Sequence, residues 1–363
     1  MTHPGHDPAR YLAMAVPHLL GIGTAVPGHD IHQAFIDWAR ARVPERERRV
    51  FDRMAARAGI GHRWSVLPDA TGSPVDAGGF YAVDPLPGTA ARMAIYAEAA
   101  PALALAAVRD LAGRIAIGAI THLVVASCTG FVAPGIDQLL ARELDLPGSV
   151  ERTLIGFMGC YAAIAALRTA RHIVRSEPDA RVLVVTVELS TLHLQADTAI
   201  EPLLAMLQFG DGAAAALVTA GEGGVALGRP FAATLPDSGA LIRWDITDRG
   251  FAMHLSGEVP GRIAAALADP ATVATLTGGV AVDGWAVHAG GRSILDAVEQ
   301  ALHLPADALA ASRAVLAENG NMSSATLMFV LARMLADPPA HGVALAFGPG
   351  LAAEGIQFGT AMA

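Results

Sequence analysis

Cysteine, aromatic and charged residues are all scarce in this sequence of 363 residues. Its two cysteines, Cys128 and Cys160, are too few for a disulfide framework, and no Cys/His spacing resembles a zinc site. Charged residues make up 16% of the chain and aromatic residues 5%, so small and aliphatic side chains dominate. With 53% hydrophobic residues, the chain can bury a large core of tightly packed α/β layers.

The sequence also lacks a broad basic surface and a long uninterrupted apolar run. A net charge of -9 gives no field that attracts nucleic acid, and the basic residues form one cluster, in residues 46–57. The apolar run of residues 97–108 is interrupted by Pro101 and is too short to span a bilayer. The opening residues lack the pattern of an export signal. We therefore expect a cytoplasmic protein with no membrane span and no nucleic-acid partner.

Strand-like and helix-like segments alternate along the chain. Apolar runs such as THLVVAS and RVLVVTVEL predict buried strands, and the Ala-rich segments near them predict helices. The composition changes at GEGGVALGRP, so we place a domain boundary there, between residues 1–220 and residues 221–363. The second part repeats the alternation from GWAVH to GVALAFGPG. This order predicts an α/β fold with two similar halves.

Cys160 stands where an apolar strand runs into an Ala-rich helix, in TLIGFMGCYAAIAAL. A thiol at a helix N-terminus faces unpaired N–H groups and the positive end of the helix dipole, so we predict a lowered pKa and a nucleophilic role. The same N–H groups are suited to bind a developing oxyanion. On this local pattern alone, a core cysteine packed beneath the sheet is an equally good interpretation.

A histidine and an asparagine in the second half complete a possible catalytic set. His288 ends the apolar strand GWAV, which predicts a ring at the carboxyl end of a strand, facing a crevice. Asn321 lies in the turn GNMSSAT before a helix, where asparagine also serves as a simple N-cap. Together with a cysteine they fit decarboxylative condensation, in which sulfur holds an acyl group and two donors stabilise an enolate. This chemistry requires no metal and no redox cofactor.

Six segments resemble the consecutive signatures of type III (chalcone-synthase-like) polyketide synthases. They occur in family order between residues 122 and 355, as SCTGFVAPGID, GFMGCYAA, QFGDGAAAALV, WAVHAGGRSILD, GNMSSAT and AFGPGLAAEG. The resemblance implies a thiolase-like fold of two similar βαβαβ-type halves in a layered α/β/α arrangement, working as a homodimer. It implies a triad of Cys160, His288 and Asn321 that uses acyl-CoA and malonyl-CoA as substrates, without a further cofactor.

The resemblance also assigns residues around the triad. Phe209 matches the family's aromatic gatekeeper, and Met253 stands where a second gatekeeper is usually Phe. Arg53 and Arg57 match CoA-binding cations, for which a solvated helical face is the alternative interpretation, and Val50 replaces a third cation. The remaining matches are the cavity residues Cys128, Ala133, His193 and Trp244 and the scaffold loop Gly348, Pro349 and Gly350.

The starter unit depends on the cavity. Ala133 stands where plant members carry a Met that projects across the dimer, and this small residue favours a tunnel for a long acyl chain. Phe131 and Trp244 argue the other way, because bulky groups fill nearby volume. We expect a fatty acyl starter and an alkylpyrone or alkylresorcinol product. The alternatives are a malonyl-CoA-only synthase of a small aromatic product, a ketoacyl-carrier-protein synthase and a non-catalytic homologue.

Overall fold

The computed structural model describes residues 15–67, 73–221 and 223–362. The opening residues, on which the argument against an export signal rests, lie outside the described residues. The strands are β1 (His18–Ala25), β2 (His29–Asp30), β3 (Trp64–Ser65), β4 (His122–Ser127), β5 (Glu151–Gly156), β6 (Val182–Leu189), β7 (Asp211–Thr219), β8 (Val225–Thr234), β9 (Ile242–Thr247), β10 (Gly250–Leu255), β11 (Gly284–Val287), β12 (Gly342–Gly348) and β13 (Ala352–Gly359). The α-helices are α1 (His32–Arg42), α2 (Arg48–Arg57), α3 (Thr89–Arg114), α4 (Ile136–Glu143), α5 (Ala162–Ser176), α6 (Ile200–Met206), α7 (Val259–Leu267), α8 (Pro270–Thr277), α9 (Arg292–Ala301), α10 (Ala310–Asn319) and α11 (Ser324–Met334).

Nine strands form one mixed sheet in the order β11-β12-β13-β8-β1-β7-β6-β4-β5. Strand β4 runs parallel to β5 and β6, and β11 runs parallel to β12. The two halves join where β1 meets β8, through the pairs His18 with Ala226 and Leu19 with Val225. The predicted boundary near residue 221 falls in the segment between β7 and β8.

Alternate residues of each central strand enter different layers of the core. In β4, Leu123 and Val125 pack in an outer core with α3, whereas Val124 and Ala126 pack with α5 and α11. Strand β12 alternates in the same way between α5 and α11 on one face and an outer core with α7 and α9 on the other. Helices α5 and α11 therefore lie between the two halves, and the predicted layered, thiolase-like α/β fold is confirmed.

Small residues allow these layers to approach closely. An added Cβ on Gly23 of β1 would lie 2.2 Å from the backbone nitrogen of Leu111 in α3. No larger side chain fits at that point, because real Cβ atoms do not approach backbone atoms so closely. The scarcity of aromatic and charged residues in the sequence thus agrees with an interior of closely packed helices and strands.

Helix α3 differs from the sequence-based expectation. We judged the apolar run of residues 97–108 too short to span a bilayer, but the helix that contains it continues through Pro101 for 26 residues. By length and composition α3 could cross a membrane. Its side chains Tyr96, Ala104 and Leu111 instead pack in the outer core, against β1, β6 and β7. This burial compensates for the backbone hydrogen bond that proline removes, and α3 is a core helix.

Candidate active site

Cys160 lies in a single 3-10 turn that leads directly into α5. Gly159, the residue before it, has a φ of +77°, and an added Cβ there would lie 2.5 Å from the Pro349 ring. An added Cβ on Gly348 would lie 2.6 Å from the Tyr161 ring. Only glycine fits these two positions. The predicted scaffold loop of Gly348, Pro349 and Gly350 therefore packs against the turn that carries the thiol.

A buried carboxylate lies beneath this turn. The Gly159 N–H donates to Cys128 Sγ at 3.1 Å, and the Cys128 N–H donates in turn to Glu188 Oε2 at 2.9 Å. Glu188 also accepts from the hydroxyls of Thr129 and Ser324, and burial raises its pKa to about 7. Glu188 was not predicted from the sequence, although a charged residue near the end of the apolar run RVLVVTVEL was a signal for it.

His288 follows the last residue of β11, as the sequence predicted. Its backbone N–H donates to the Leu345 carbonyl at 2.8 Å, which fixes the position of the residue at the strand end. Burial lowers the pKa of the ring to about 3, so the imidazole is neutral. Within the described residues, neither ring nitrogen has a hydrogen-bond partner. Both nitrogens therefore keep their hydrogen-bonding capacity, and the residue lines the larger of the cavities described below.

The side-chain amide of Asn321 is held in one orientation. Its Nδ2 donates to the Gly290 carbonyl at 3.2 Å, and its Oδ1 accepts from the Ser323 N–H at 2.8 Å. The simple N-cap interpretation does not hold, because the N-cap of α11 is Ser323. Since the amide nitrogen carries two hydrogens, one of them remains for a substrate oxygen.

The protonation state of Cys160 differs from the prediction. Burial raises the pKa of its thiol to about 12, while the neighbouring Ser323 hydroxyl and Asn321 amide act to lower it and the Glu188 carboxylate raises it further. The prediction of a lowered pKa was wrong, because desolvation of a thiolate outweighs the effect of the helix N-terminus. The thiol therefore needs a proton acceptor, and neutral His288 lines the same cavity.

The triad residues line one cavity of 520 Å³. A second cavity of 260 Å³ lies next to it, and the two share Phe209, Trp244 and Met253. The rings of Phe209 and Trp244 meet edge to face, with centroids 6.3 Å apart. His193 lines only the second cavity. Cys160 as nucleophile, His288 as neutral base and Asn321 as donor therefore line the larger cavity. The rings of Phe209 and Trp244 lie between this cavity and the second one.

Comparisons with known proteins agree with this geometry. The model of the N-terminal domain of chalcone and stilbene synthases matches residues 9–222, and that of the C-terminal domain matches residues 229–360. The chain belongs to this family. The resemblance to type III polyketide synthases is therefore confirmed.

Two curated relatives show how far the similarity extends. The alpha-pyrone synthesis polyketide synthase-like protein Pks18 of Mycobacterium tuberculosis is 36% identical over 251 residues, which cover 65% of this chain and 64% of that protein. This match thus spans less than two thirds of the relative's length. Bisdemethoxycurcumin synthase of Oryza sativa subsp. japonica is 37% identical over 300 residues, covering 74% of this chain and 73% of the relative.

Two solved structures are similar over nearly the whole chain. One is PKS-I of the brown alga Ectocarpus siliculosus, with a TM-score of 0.83, 31% identity and coverage of 96% of this chain and 99% of that chain. The other is the C-terminal type III polyketide synthase domain of Steely1 from Dictyostelium, with a TM-score of 0.86, 26% identity and coverage of 96% and 100%.

The residues assigned by family resemblance are not all brought to the cavities. Arg53 and Arg57 are exposed on α2, on either side of Met54, which lines the mouth of the larger cavity. Cys128 lies beneath the nucleophile turn and lines neither cavity. Ala133 is exposed on the loop before α4 and also lines neither cavity. In this chalcone and stilbene synthase family member, Ala133 of the same chain therefore contributes to neither of these two cavities.

His193 forms a rigid part of the second cavity. Its Nε2 donates to the Thr129 carbonyl at 2.7 Å, and its Nδ1 accepts from the Phe251 N–H at 3.0 Å. The ring stacks on that of Phe251, with centroids 4.2 Å apart. Burial lowers the pKa of His193 to about 4, so the ring is neutral. Because both nitrogens are occupied, His193 shapes this cavity and has no nitrogen left for proton transfer.

Proposed function

We propose that this protein is a type III polyketide synthase that condenses malonyl-CoA onto an acyl group held by Cys160. The observation that carries the proposal is the shared cavity, in which a thiol, a neutral imidazole and an oriented amide meet. These three groups suffice for the chemistry, so we propose CoA thioesters as substrates and no cofactor. We also propose that the protein works in the cytoplasm, where these thioesters are made.

Acylation begins with proton transfer. The Cys160 thiol gives its proton to His288 while sulfur attacks the carbonyl carbon of the starter thioester. The tetrahedral intermediate collapses, the C–S bond to CoA breaks, and the CoA thiolate takes the proton from His288. The starter is then bound to Cys160 as a thioester, and His288 is neutral again, as its low pKa favours.

Chain extension uses the same donors on malonyl-CoA. The C–C bond to its carboxylate breaks, carbon dioxide leaves, and the electron pair forms a thioester enolate. The oxygen of this enolate accepts hydrogen bonds from His288 and from the free N–H of Asn321. The enolate carbon attacks the acyl carbonyl on Cys160, which leaves as thiolate and is ready for the next transfer.

The walls of the larger cavity favour an apolar starter. Aliphatic side chains line it beyond the triad, namely Ile200, Leu204, Ile242, Leu255 and Val259. Burying methylene groups against such a wall stabilises binding by about 0.8 kcal/mol per group. We therefore propose a fatty acyl starter and an alkylpyrone or alkylresorcinol product, and the pyrone is favoured by the name of the Mycobacterium relative.

The dimer belongs to the same proposal. Strand β5 is an edge of the large sheet and is exposed along most of its length. Leu154 on this strand and Phe157 just after it are 49% and 38% exposed, and the exposed Phe131 ring lies 5.8 Å from that of Phe157. An open edge with large apolar side chains is suited to pair with the same edge of a second copy.

Product analysis tests the proposed function. Purified protein is incubated with malonyl-CoA alone, and then with acyl-CoA starters from acetyl to palmitoyl, and the products are identified by mass spectrometry. We expect alkylpyrones or alkylresorcinols that appear only with long starters and are absent from the Cys160→Ala variant. A product from malonyl-CoA alone would indicate the small-aromatic synthase, product only with a carrier protein the priming synthase, and none at all a non-catalytic homologue.

A further inference from the structure

Three metal-binding side chains converge at the end of the sheet remote from Cys160. His122 begins β4, Glu151 begins the parallel strand β5, and these two residues are partners in the strand register. Glu177 caps the C-terminus of α5 and reaches the same point. His122 Nε2 lies 3.7 Å from Glu151 Oε2 and 3.8 Å from Glu177 Oε2, and one ligand atom from each residue lies within 4.8 Å of the others.

The His122 ring is buried and oriented toward the two carboxylates. Its side chain is 8% exposed, and within the described residues its Nε2 makes no hydrogen bond. Its Nδ1 lies 2.8 Å from the Thr121 hydroxyl, which accepts from the Arg181 N–H at 2.9 Å and has the Arg181 carbonyl as its own acceptor at 3.3 Å. The hydroxyl can therefore accept a hydrogen bond from Nδ1–H, and in that tautomer the Nε2 lone pair faces the carboxylates. Metal-binding histidines are oriented in this way.

We propose that His122, Glu151 and Glu177 bind one zinc ion. In a tetrahedral zinc site with bonds of about 2.0–2.1 Å, ligand atoms lie about 3.4 Å apart. The observed separations need only small rotations of the two glutamates, whose side chains are 73% and 57% exposed. One imidazole and two carboxylates suit zinc better than magnesium or calcium, which prefer oxygen ligands alone. Water completes the coordination.

The ion would have a structural role. It would tie the edge strand β5 and the end of α5 to the buried strand β4, and α5 begins beside the nucleophile. It would also neutralise two carboxylates that meet a single imidazole. The ligands are far apart along the sequence, so no spacing pattern reveals the site.

Calorimetric titration of metal-free protein with zinc chloride tests the proposal. The full-length protein is first treated with a chelator and dialysed. We expect one zinc per chain with a micromolar or lower Kd, and a rise of a few degrees in Tm on binding. His122→Asn should lose this binding, whereas His303→Asn, a matched change at an exposed histidine, should keep it. Cobalt should give visible bands without a thiolate charge-transfer band, and Cys160→Ala should bind zinc as tightly as the native chain.

Exposed-ligand variants keep the test valid if His122→Asn does not fold. Glu151→Gln and Glu177→Gln change side chains that are largely in solvent, and each should weaken zinc binding at least about tenfold. Native-like affinity in both glutamine variants would overturn the proposal. So would a thiolate band with cobalt, loss of binding in Cys160→Ala, or the absence of zinc binding by the native chain. None of these outcomes depends on polyketide synthesis.

Discussion

Phe209 and Asn321 form a parallel β-bridge. The backbone that carries the Phe209 ring is therefore hydrogen-bonded to the backbone that carries the triad amide. The Asn321 N–H donates to the Gln208 carbonyl at 2.8 Å, and the Gly210 N–H donates to the Asn321 carbonyl at 3.0 Å. Phe209 thus lies between the two residues that bond to Asn321. Any movement of the backbone at Phe209 therefore also moves the side-chain amide of Asn321, which we propose as a hydrogen-bond donor to the enolate oxygen.

Gly320 makes this bridge sensitive to a single methyl group. It has a φ of +66°, and an added Cβ would lie 2.8 Å from the Gln208 carbonyl oxygen. We expect Gly320→Ala to cost about 1–2 kcal/mol of stability through its φ alone, and to displace Asn321. Malonyl-CoA decarboxylation should fall about tenfold or more, a part of the loss expected for removing one oxyanion donor. Carbon dioxide release measures this effect.

A matched glycine provides the control for the bridge. Gly261 lies in α7, and an added Cβ there meets nothing within 4 Å. Gly261→Ala should therefore leave decarboxylation unchanged. Equal rates in the Gly320 and Gly261 variants, with both folded, would show that the bridge does not position the amide.

The protonation states lead to a prediction about pH. Cys160→Ala removes the nucleophile and should abolish acyl loading, but it leaves His288 and Asn321 to decarboxylate malonyl-CoA. Because burial lowers the His288 pKa to about 3, lowering the pH from about 8 to about 6 does not protonate the ring. The decarboxylation rate of this variant should be constant across that range.

The same pH profile would also show if the predicted protonation state of His288 were wrong. A histidine with an ordinary pKa of about 6.5 changes charge within this range, so a bend there would show that His288 is not buried as a neutral group.

Cys128→Ala is the matched control for Cys160→Ala in the test of acyl loading. It should still accept a radiolabelled acyl group, because Cys128 lines neither cavity.

Local patterns predicted much of the site, because each triad residue stands at the end of a regular element. The junction of strand and helix at Cys160 and the strand end at His288 follow from apolar runs and their breaks. The thiol pKa does not, since desolvation depends on residues brought from distant parts of the chain, such as Ser323 and Glu188. The division of the interior into two cavities has the same origin, because Trp244 meets Phe209 only in the folded chain.

The extent of helix α3 and the position of strand β5 were not predictable from the sequence for a similar reason. The apolar run around Pro101 was judged too short to span a bilayer, but α3 extends on both sides of that run, because tertiary packing of its apolar face outweighs the one hydrogen bond lost at the proline. The position of β5 at the sheet edge was also not evident, since TLIGF reads as apolar as a central strand. Edge strands and central strands differ in the strands that lie beside them, and the composition of one strand does not show what its neighbours are.

The exposed cations on α2 should contribute to binding CoA rather than to catalysis. We expect Arg53→Glu with Arg57→Glu to raise KM for acyl-CoA about tenfold or more with little change in kcat, because phosphate contacts are lost at the mouth of the cavity. The same variant should process an N-acetylcysteamine thioester, which lacks the phosphates, like the native chain. Arg46→Glu is the control at an exposed arginine outside α2. An equal loss with both thioesters would contradict the assignment.

The proposed dimer can be tested at the edge strand. Leu154→Glu places a charge on β5, and we expect it to convert the dimer into a monomer at micromolar concentrations, because an unpaired charge is costly in a buried contact. Ile246→Glu is the matched control, since Ile246 is an aliphatic residue on strand β9 with 56% exposure. Light scattering of both variants and the native chain measures the mass. A Leu154→Glu dimer of native affinity would place the interface elsewhere.

Trp244 separates the two cavities, and its removal should change which starters are accepted. Its Nε1 has no hydrogen-bond partner within the described residues, and its ring is held by edge contacts with Phe209 and Phe251. Trp244→Ala should open the 520 Å³ cavity to the 260 Å³ cavity, so kcat/KM should rise for bulkier or longer starters relative to short ones. Ala133→Phe shortens the accepted chain only if a second subunit brings that surface to the cavity. Competition between paired acyl-CoA starters measures both effects, and an unchanged preference in Trp244→Ala would mean that the second cavity takes no part of the acyl chain.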